Sequence, residues 1–379
     1  LVLENEISKL QQESGYPYIV NIDTANRANP IDGKIIMSNL CSEILQVQKP
    51  SLINGKQEYE VLGTDISCNL GSTNIVNLMA SPDFGRSVKA MTRALTYVTD
   101  HSHIDVVPSI EKGNQEAHTI GLGAMGLHTY FAKNHMEYGS AESIEFTDIY
   151  FMLLNYWTLT ESNLIARERG IVFDGFEKSA YADGSYFADY TAGQHVPRSQ
   201  KVKELFAGIF IPTASDWRKL QKAIAKDGLY HQNRLAVAPN GSISYINDTS
   251  ASLHPITRMI EERQEKKIGK IYYPAAYLSN DTLPYYKSAY DMDMRKVIDV
   301  YAAAQKHIDQ GMSLTLFMRS EIPAGLYEWK TDTNKQTTRD LNILRHYAFN
   351  KGIKSIYYVR TFTDDNEEIG SNQCESCVI

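Results

Sequence analysis

Apolar residues recur at helical spacing in several stretches of the chain. Around 81–100, Ser81-Pro82-Asp83 predicts a helix start, with Ser81 as the cap and Pro82 at the first position, and Val88, Met91, Leu95 and Val98 form one apolar face. Over 143–170, Ile149, Met152, Leu153, Tyr156, Leu159, Leu164 and Ile165 predict a long buried helix, with Arg167 and Arg169 suiting its carboxy end before Gly170. Val297, Ile298, Tyr301 and Ala304 predict a helix over 294–310 that Gly311 closes. Thr337-Thr338-Arg339-Asp340 has capping character and opens a helix through Leu341, Leu344 and Tyr347, stopped at Asn350-Lys351-Gly352. Shorter helical runs fall near 201–206 and 214–225, and an amphipathic run reaches Leu10.

Between these lie segments with strand character. Gly15 and Pro17 end the first run, and Tyr18-Ile19-Val20 follows; Asn26-Arg27-Ala28-Asn29-Pro30 reads as a turn. Residues 63–75 read as a strand interrupted by Gly71, 313–317 as a second and 353–361 as a third. Tyr357 and Tyr358 fall inside the last, where neighbours face opposite sides, so one is expected buried and the other exposed. Helices alternate with strands over short connections, which is α/β order without a repeat or linker.

Composition adds limits. The 379 residues are 43% hydrophobic, enough for a sizeable core. A net charge of −7 and a pI near 5.8 argue against a general nucleic-acid or anionic-membrane binder, although one nucleotide could bind through local groups. No apolar run reaches bilayer length and the amino end lacks a signal pattern, so a cytoplasmic protein is expected. Four cysteines, Cys41, Cys68, Cys374 and Cys377, are too few and too uneven for a secreted disulfide framework; metal or redox chemistry fits them better.

The chemistry is expected in Met37-Ser38-Asn39-Leu40-Cys41-Ser42-Glu43-Ile44-Leu45. If this segment is extended, Asn39, Cys41 and Glu43 project to one side: an amide, a thiol and a proton acceptor along one edge. The competing reading is a half-buried strand whose cysteine acts as a small hydrophobe. Pro239-Asn240-Gly241-Ser242-Ile243-Ser244 can present backbone N–H groups and hydroxyls to a phosphate, or form a plain turn and cap. Gly121-Leu122-Gly123-Ala124-Met125-Gly126 has dinucleotide-motif spelling without a preceding strand, and its small residues suit close helix packing instead. His101, His103 and Asp105 lack further ligands and read as a polar helix exit rather than a metal site. Cys374-Glu375-Ser376-Cys377, after the polar segment 364–368, reads as a mobile dithiol for disulfide exchange rather than half a zinc site.

Taken together, Glu13-Ser14-Gly15-Tyr16-Pro17-Tyr18, Asn26 to Pro30, Ser38 to Glu43, Ile66-Ser67-Cys68-Asn69-Leu70-Gly71-Ser72, Pro239 to Ile246, the tyrosine pair and the terminal CxxC resemble the large subunit of class I ribonucleotide reductases, most closely class Ib. That resemblance implies a ten-stranded α/β barrel built from two five-stranded halves. Residues 1–363 would then be the second half-barrel with its central finger loop at about 30–50, and 364–379 a flexible redox-active tail. It implies that Cys41 is the thiyl-radical cysteine, Glu43 the base for the ribose 3′-hydroxyl and Asn39 the orienting amide. Cys68, 27 residues beyond Cys41, would belong to the internal dithiol, which Cys374 and Cys377 re-reduce. Tyr357 and Tyr358 would relay a radical from a dimetal small subunit, with Tyr358 nearer that partner.

The same resemblance makes residues 239–244 the substrate phosphate loop, with Asn240 where the family more often has threonine, a change that would lose a hydroxyl contact. No cofactor is implied on the chain itself; electrons would come from a thioredoxin- or glutaredoxin-like protein. The family subunit is about twice as long. An amino-terminal portion holding the other half-barrel, the second internal cysteine and the effector site is therefore an expected partner, and the chain alone is expected to be inactive on ribonucleoside diphosphates. Two other readings compete: a non-catalytic module that binds the small subunit, and a general dithiol–disulfide oxidoreductase built on the CxxC.

Overall fold

The computed structural model describes residues 2–265, 269–331, 333–363 and 366–369. Its strands are β1 (Ile19–Val20), β2 (Leu52–Ile53), β3 (Tyr59–Val61), β4 (Leu70–Asn74), β5 (Gly121–Met125), β6 (Ile260–Glu265), β7 (Gly269–Pro274), β8 (Leu316–Arg319), β9 (Ser355–Ile356), β10 (Val359–Thr363) and β11 (Asn366–Ile369). The fold is mixed α/β. β2–β3 and β6–β7 are antiparallel pairs, and β1 lies antiparallel to β9.

The scaffold of the centre is a parallel series. β4 pairs with β5, Leu122 bridges to Leu235, Val237 bridges to Met312, and β8 pairs with β10, all parallel. Backbone bonds fill the gaps between the named strands: Leu122 N–H to Arg234 O, Val237 N–H to Gly311 O, and Tyr357 N–H to Leu314 O. Five chain segments therefore lie side by side without closing into a barrel among the described residues. Close approach explains two of the glycines. A Cβ on Gly123 would come within 2.3 Å of Ala236 O, and one on Gly311 within 3.0 Å of Ser42 O.

The helix Ala141–Arg169 runs as expected, capped by Ser140 and ended by left-handed Gly170. It is apolar nearly all round because the helices Phe84–Asp100, Ala214–Asp227 and Met294–Gln305 pack against it, making it the spine of the main core. Asp83 caps Phe84–Asp100, and Thr337 forms a capping box with Asp340 at the start of Thr338–Asn350.

Several expectations need correction. Residues 26–27 end a short helix, Ile22–Arg27, before the turn begins. Gly71 does not interrupt its strand, since it pairs with Leu122 inside β4. The run Gly121–Met125 is itself a strand, so its small residues serve strand contact rather than helix packing. The helix Met294–Gln305 stops before Gly311, which instead makes room for the loop carrying Cys41. Residues 353–361 form two strands, β9 and β10, with Tyr357 and Tyr358 in the break between them, and both tyrosines are buried. Part of the expected mobile tail, Asn366–Ile369, pairs with β10.

One buried ion pair fixes the third segment. Arg234 and Asp309 meet at 3.1 Å with both side chains inaccessible, and Asp309 also accepts the backbone N–H groups of Arg234 and Leu235, each at 2.9 Å. Asp309→Ala strands a buried guanidinium and two amides. It is expected to cost about 3–5 kcal/mol, read as a lowered midpoint in urea unfolding of the same chain.

Candidate active site

Residues 30–50 cross the parallel segments as a loop without a ladder of its own, and side-chain amides supply the missing partners. Asn26 exchanges two bonds with the Ile35 backbone, each 2.9 Å, and Gln48 Oε1 accepts from Ile36 and Met37 N–H. Gln46 bridges Ser67 on one side and Gln310 on the other, while Gly311 N–H donates to Glu43 O at 2.8 Å. The loop is thus tied both to the approach to β4 and to the segment that becomes β8.

At its tip, Asn39, Cys41 and Glu43 do come together, but not by strand alternation. Ser42 N–H donates to Asn39 O at 3.1 Å and Ser42 has φ +66°, so a tight turn projects the thiol. Asn39 Oδ1 accepts the Ile44 N–H, leaving its Nδ2 directed at Cys68 Sγ, 3.7 Å away. Cys41 is 8% exposed and Cys68 is exposed. Ser313, at the start of a run read only as a strand, donates to Cys41 O at 2.6 Å and lies 3.3 Å from Glu43 Oε2. It is a site residue that sequence reasoning missed; the one sign of it was a hydroxyl in an otherwise apolar run.

Glu43 is buried, and that burial raises its pKa above the ordinary 4.5, while hydrogen bonds from its own backbone N–H, Asn39 and Ser313 oppose the rise. A carboxyl with raised affinity for a proton is suited to general-base work near neutral pH. On the other side of the thiol, the Tyr357 hydroxyl is directed at Cys41 Sγ at 3.8 Å. Tyr357 and Tyr358 have ring centroids 4.2 Å apart, and Tyr18 packs on both, at 4.6 and 5.0 Å. Burial is the leading cause that raises the pKa of all three phenols above the ordinary tyrosine value, furthest for Tyr18 and Tyr357.

The segment 239–244 leaves the third parallel segment and opens a short helix, Gly241–Ile246. Pro239 precedes it, Gly241, Ser242 and Ile243 are exposed, and Ser244 is buried. Asn240 is also buried and left-handed (φ +57°), a conformation asparagine tolerates better than a β-branched residue. Its amide is already occupied: Oδ1 accepts from Ser72 at 3.0 Å and Nδ2 donates to Ala124 O at 3.2 Å. It therefore fastens the loop to β4 and β5. Cys374 and Cys377 lie outside the described residues.

Asp148, His195 and His307 bring ligand-type atoms within 4.8 Å of one another, a cluster the sequence did not suggest. Hydrogen bonding accounts for it. Asn155 Nδ2 donates to the Tyr190 oxygen, so that hydroxyl donates to His307 Nδ1, and the neutral ring's Nε2–H then donates to Asp148, which also pairs with His195. Burial works against the Asp148 charge, but the two histidines outweigh it and hold its carboxyl below the usual range. His101 stacks on Tyr97 at a helix end, as a polar exit should.

Glu43 gives a pH test. A carboxyl whose folded pKa lies above its unfolded value binds its proton more tightly when folded. Its contribution is fully present below about 4.5 and is lost as pH rises through the raised value. Glu43→Gln is expected to melt higher than the parent at pH 7 and to show a flatter fall as pH rises above about 4.5, read by thermal unfolding across a pH series.

A family model described as the ribonucleotide reductase barrel domain matches residues 2–359. The chain is 42% identical over 379 residues to the ribonucleoside-diphosphate reductase subunit alpha of Bacillus subtilis, covering 100% of this chain and 51% of that protein. The protein of the same name from Mycoplasma pneumoniae is 44% identical over 385 residues, covering 98% and 51%. That from Helicobacter pylori is 28% identical over 417 residues, covering 96% and 50%. The chain spans about half the length of these curated relatives. With Cys41 beside a buried carboxylate and an edge-to-face tyrosine pair, and with the family model covering nearly the whole length, the chain belongs to the ribonucleotide reductase barrel-domain family.

Proposed function

We propose that this chain is the radical-bearing portion of a ribonucleoside-diphosphate reductase large subunit, converting ribonucleoside diphosphates to 2′-deoxyribonucleoside diphosphates when joined by its partners. The observation that carries the reading is the placement of Cys41, with the Tyr357 hydroxyl on one side and Glu43, Asn39 and Cys68 on the other. A hydrogen-atom donor, a base, an orienting amide and a reducing thiol converge there. The five parallel segments support reading residues 1–363 as one half of a ten-stranded barrel with 30–50 as its finger loop, and 364–379 as the redox tail.

In this mechanism an oxidised Tyr357 takes the hydrogen atom of Cys41, restoring the phenol and leaving a thiyl radical. The thiyl removes the hydrogen at C3′ of the ribose. Glu43 accepts the proton of the 3′-hydroxyl, and Asn39 orients both groups. The 2′-hydroxyl leaves as water while Cys68 and a cysteine of the missing portion become a disulfide, supplying two electrons. Cys374 and Cys377 then exchange with that disulfide and are reduced by a thioredoxin- or glutaredoxin-like protein. Residues 239–244 hold the diphosphate through backbone N–H groups and hydroxyls. Asn240, engaged with Ser72 and Ala124, shapes the loop instead of touching substrate. The partners are therefore an amino-terminal large-subunit portion and a small subunit that generates the radical with its metal pair. The expected setting is the cytoplasm; no helix among the described residues is long and apolar enough to cross a membrane.

The test mixes this chain with the amino-terminal portion and the small subunit and measures reduction of cytidine diphosphate. Cys41→Ser is expected to lower turnover to background. Cys374→Ser combined with Cys377→Ser should spare one turnover of the pre-reduced complex and block those that follow. Full multiple turnover by the Cys41 variant overturns the reading, and binding of the small subunit without any turnover by the parent complex favours a non-catalytic module.

A further inference from the structure

The tyrosine cluster beside Cys41 is larger than the relay needs. Tyr16 shares a hydrogen bond with Tyr358, hydroxyl to hydroxyl at 3.0 Å, and its ring lies edge-on to Tyr358 and 5.0 Å from Tyr18. The approach is built into the backbone. Gly15, at φ +82°, passes so close that a Cβ there would sit 3.1 Å from the Tyr358 ring and 3.2 Å from Val359 O. Val359 N–H also reaches Gly15 O at 3.4 Å, and Gln11 donates to Pro17 O at 2.7 Å, so the segment is held from both sides. β1, just beyond, pairs Ile19 with Ile356 and fixes the register between the two halves of the cluster.

Exposure separates the two hydroxyl partners. Tyr358 is 2% exposed and Tyr16 45%, so Tyr16 covers Tyr358 on the side toward solvent. The Arg360 guanidinium lies over the Tyr358 ring, with its central carbon 5.6 Å from the centroid. A ring gripped by a cation on one side and by a phenol at its hydroxyl has a single orientation available. Oxidation of a protonated phenol releases its proton with the electron, so the hydrogen-bond partner of that phenol governs how readily it is oxidised.

We propose that Tyr16 is a positioning residue of the radical relay: its hydroxyl holds the Tyr358 phenol in the orientation and hydrogen bond needed for oxidation by the small subunit and onward transfer to Tyr357. This rests on the function proposed above. The balance is simple. Tyr358 gives up one electron and its phenolic proton to become a neutral radical. It then recovers a hydrogen atom from Tyr357, which recovers one from Cys41, and Tyr16 ends each cycle unchanged. The oxidant is the metal-generated radical of the small subunit.

Tyr16→Phe keeps the ring and removes only the hydroxyl. In the complex of this chain with the amino-terminal portion and the small subunit, it is expected to lower kcat about tenfold, the value of one such hydrogen bond, at unchanged KM. A second measurement separates this from a packing defect. With 3-aminotyrosine in place of Tyr358, the radical trapped during turnover should lose one exchangeable-proton coupling in its magnetic-resonance spectrum when Tyr16 is phenylalanine. An unchanged spectrum with kcat within about twofold of the parent overturns the proposal. So does a loss as complete as that of Tyr358→Phe, because Tyr16 would then carry the oxidation itself. Tyr358→Phe is the control on the underlying reading: if it retains full turnover, the relay has failed, whereas its inactivity beside an unaffected Tyr16→Phe sinks only the role given to Tyr16.

Discussion

The site depends on amide side chains that stand in for a missing sheet. The loop carrying Cys41 crosses five parallel segments without joining them as a strand, so its buried backbone groups need partners from elsewhere. Asn26, Asn39 and Gln48 provide them, and Gln46 ties the loop to its neighbours. Gln46 matters most to the geometry, because it joins the segment before β4 to Gln310 through one side chain. Asn39 is satisfied on its oxygen by the backbone, which leaves its nitrogen for Cys68. Structural hydrogen bonding and site assembly are one network.

The sequence showed which residues matter more clearly than how they meet. Periodicity located the long helices because their buried faces repeat every turn, and Thr337 marked one start correctly, whereas the cap before Phe84 is Asp83 rather than the expected Ser81. The parallel segment 234–237 was invisible, and 311–314 was read only from Ser313 onward. Both are short, and Leu235-Ala236-Val237 carries no alternation because both of its faces are buried. Asn39, Cys41 and Glu43 were named on the premise of an extended strand, whereas a turn with Ser42 at positive φ brings them together; alternation predicts proximity but not the conformation that produces it. Tyr357 and Tyr358 were expected on opposite faces, and the break between β9 and β10 lets both point inward. Ser313 gave only a hydroxyl in an otherwise apolar run as a sign, and Tyr16 none of its own, since each acts through a residue some 270 or 342 positions away.

Two buried polar systems frame this centre and differ in purpose. Arg234 and Asp309 neutralise each other and organise the backbone of the third segment. Lys354, whose ammonium burial lowers to about 8, instead donates to three successive carbonyls, those of Ile308, Asp309 and Gln310, at 2.8–2.9 Å. Lys354 lies three positions before Tyr357, and Gly311 adjoins Glu43. The clasp therefore ties the strand bearing the tyrosine pair to the segment on which the carboxylate rests.

Burial also sorts the two described thiols by access. Thiol–disulfide exchange requires a sulfur that another sulfur can approach in line, and Cys68 at the surface meets that condition. Cys41 lies against Tyr357 in its own small apolar cluster and is only 8% exposed, so far less of it is open to such an approach. Two thiols on one chain are thus separated in reactivity by shape: the exposed sulfur is open to exchange, and the buried one is largely shielded from it.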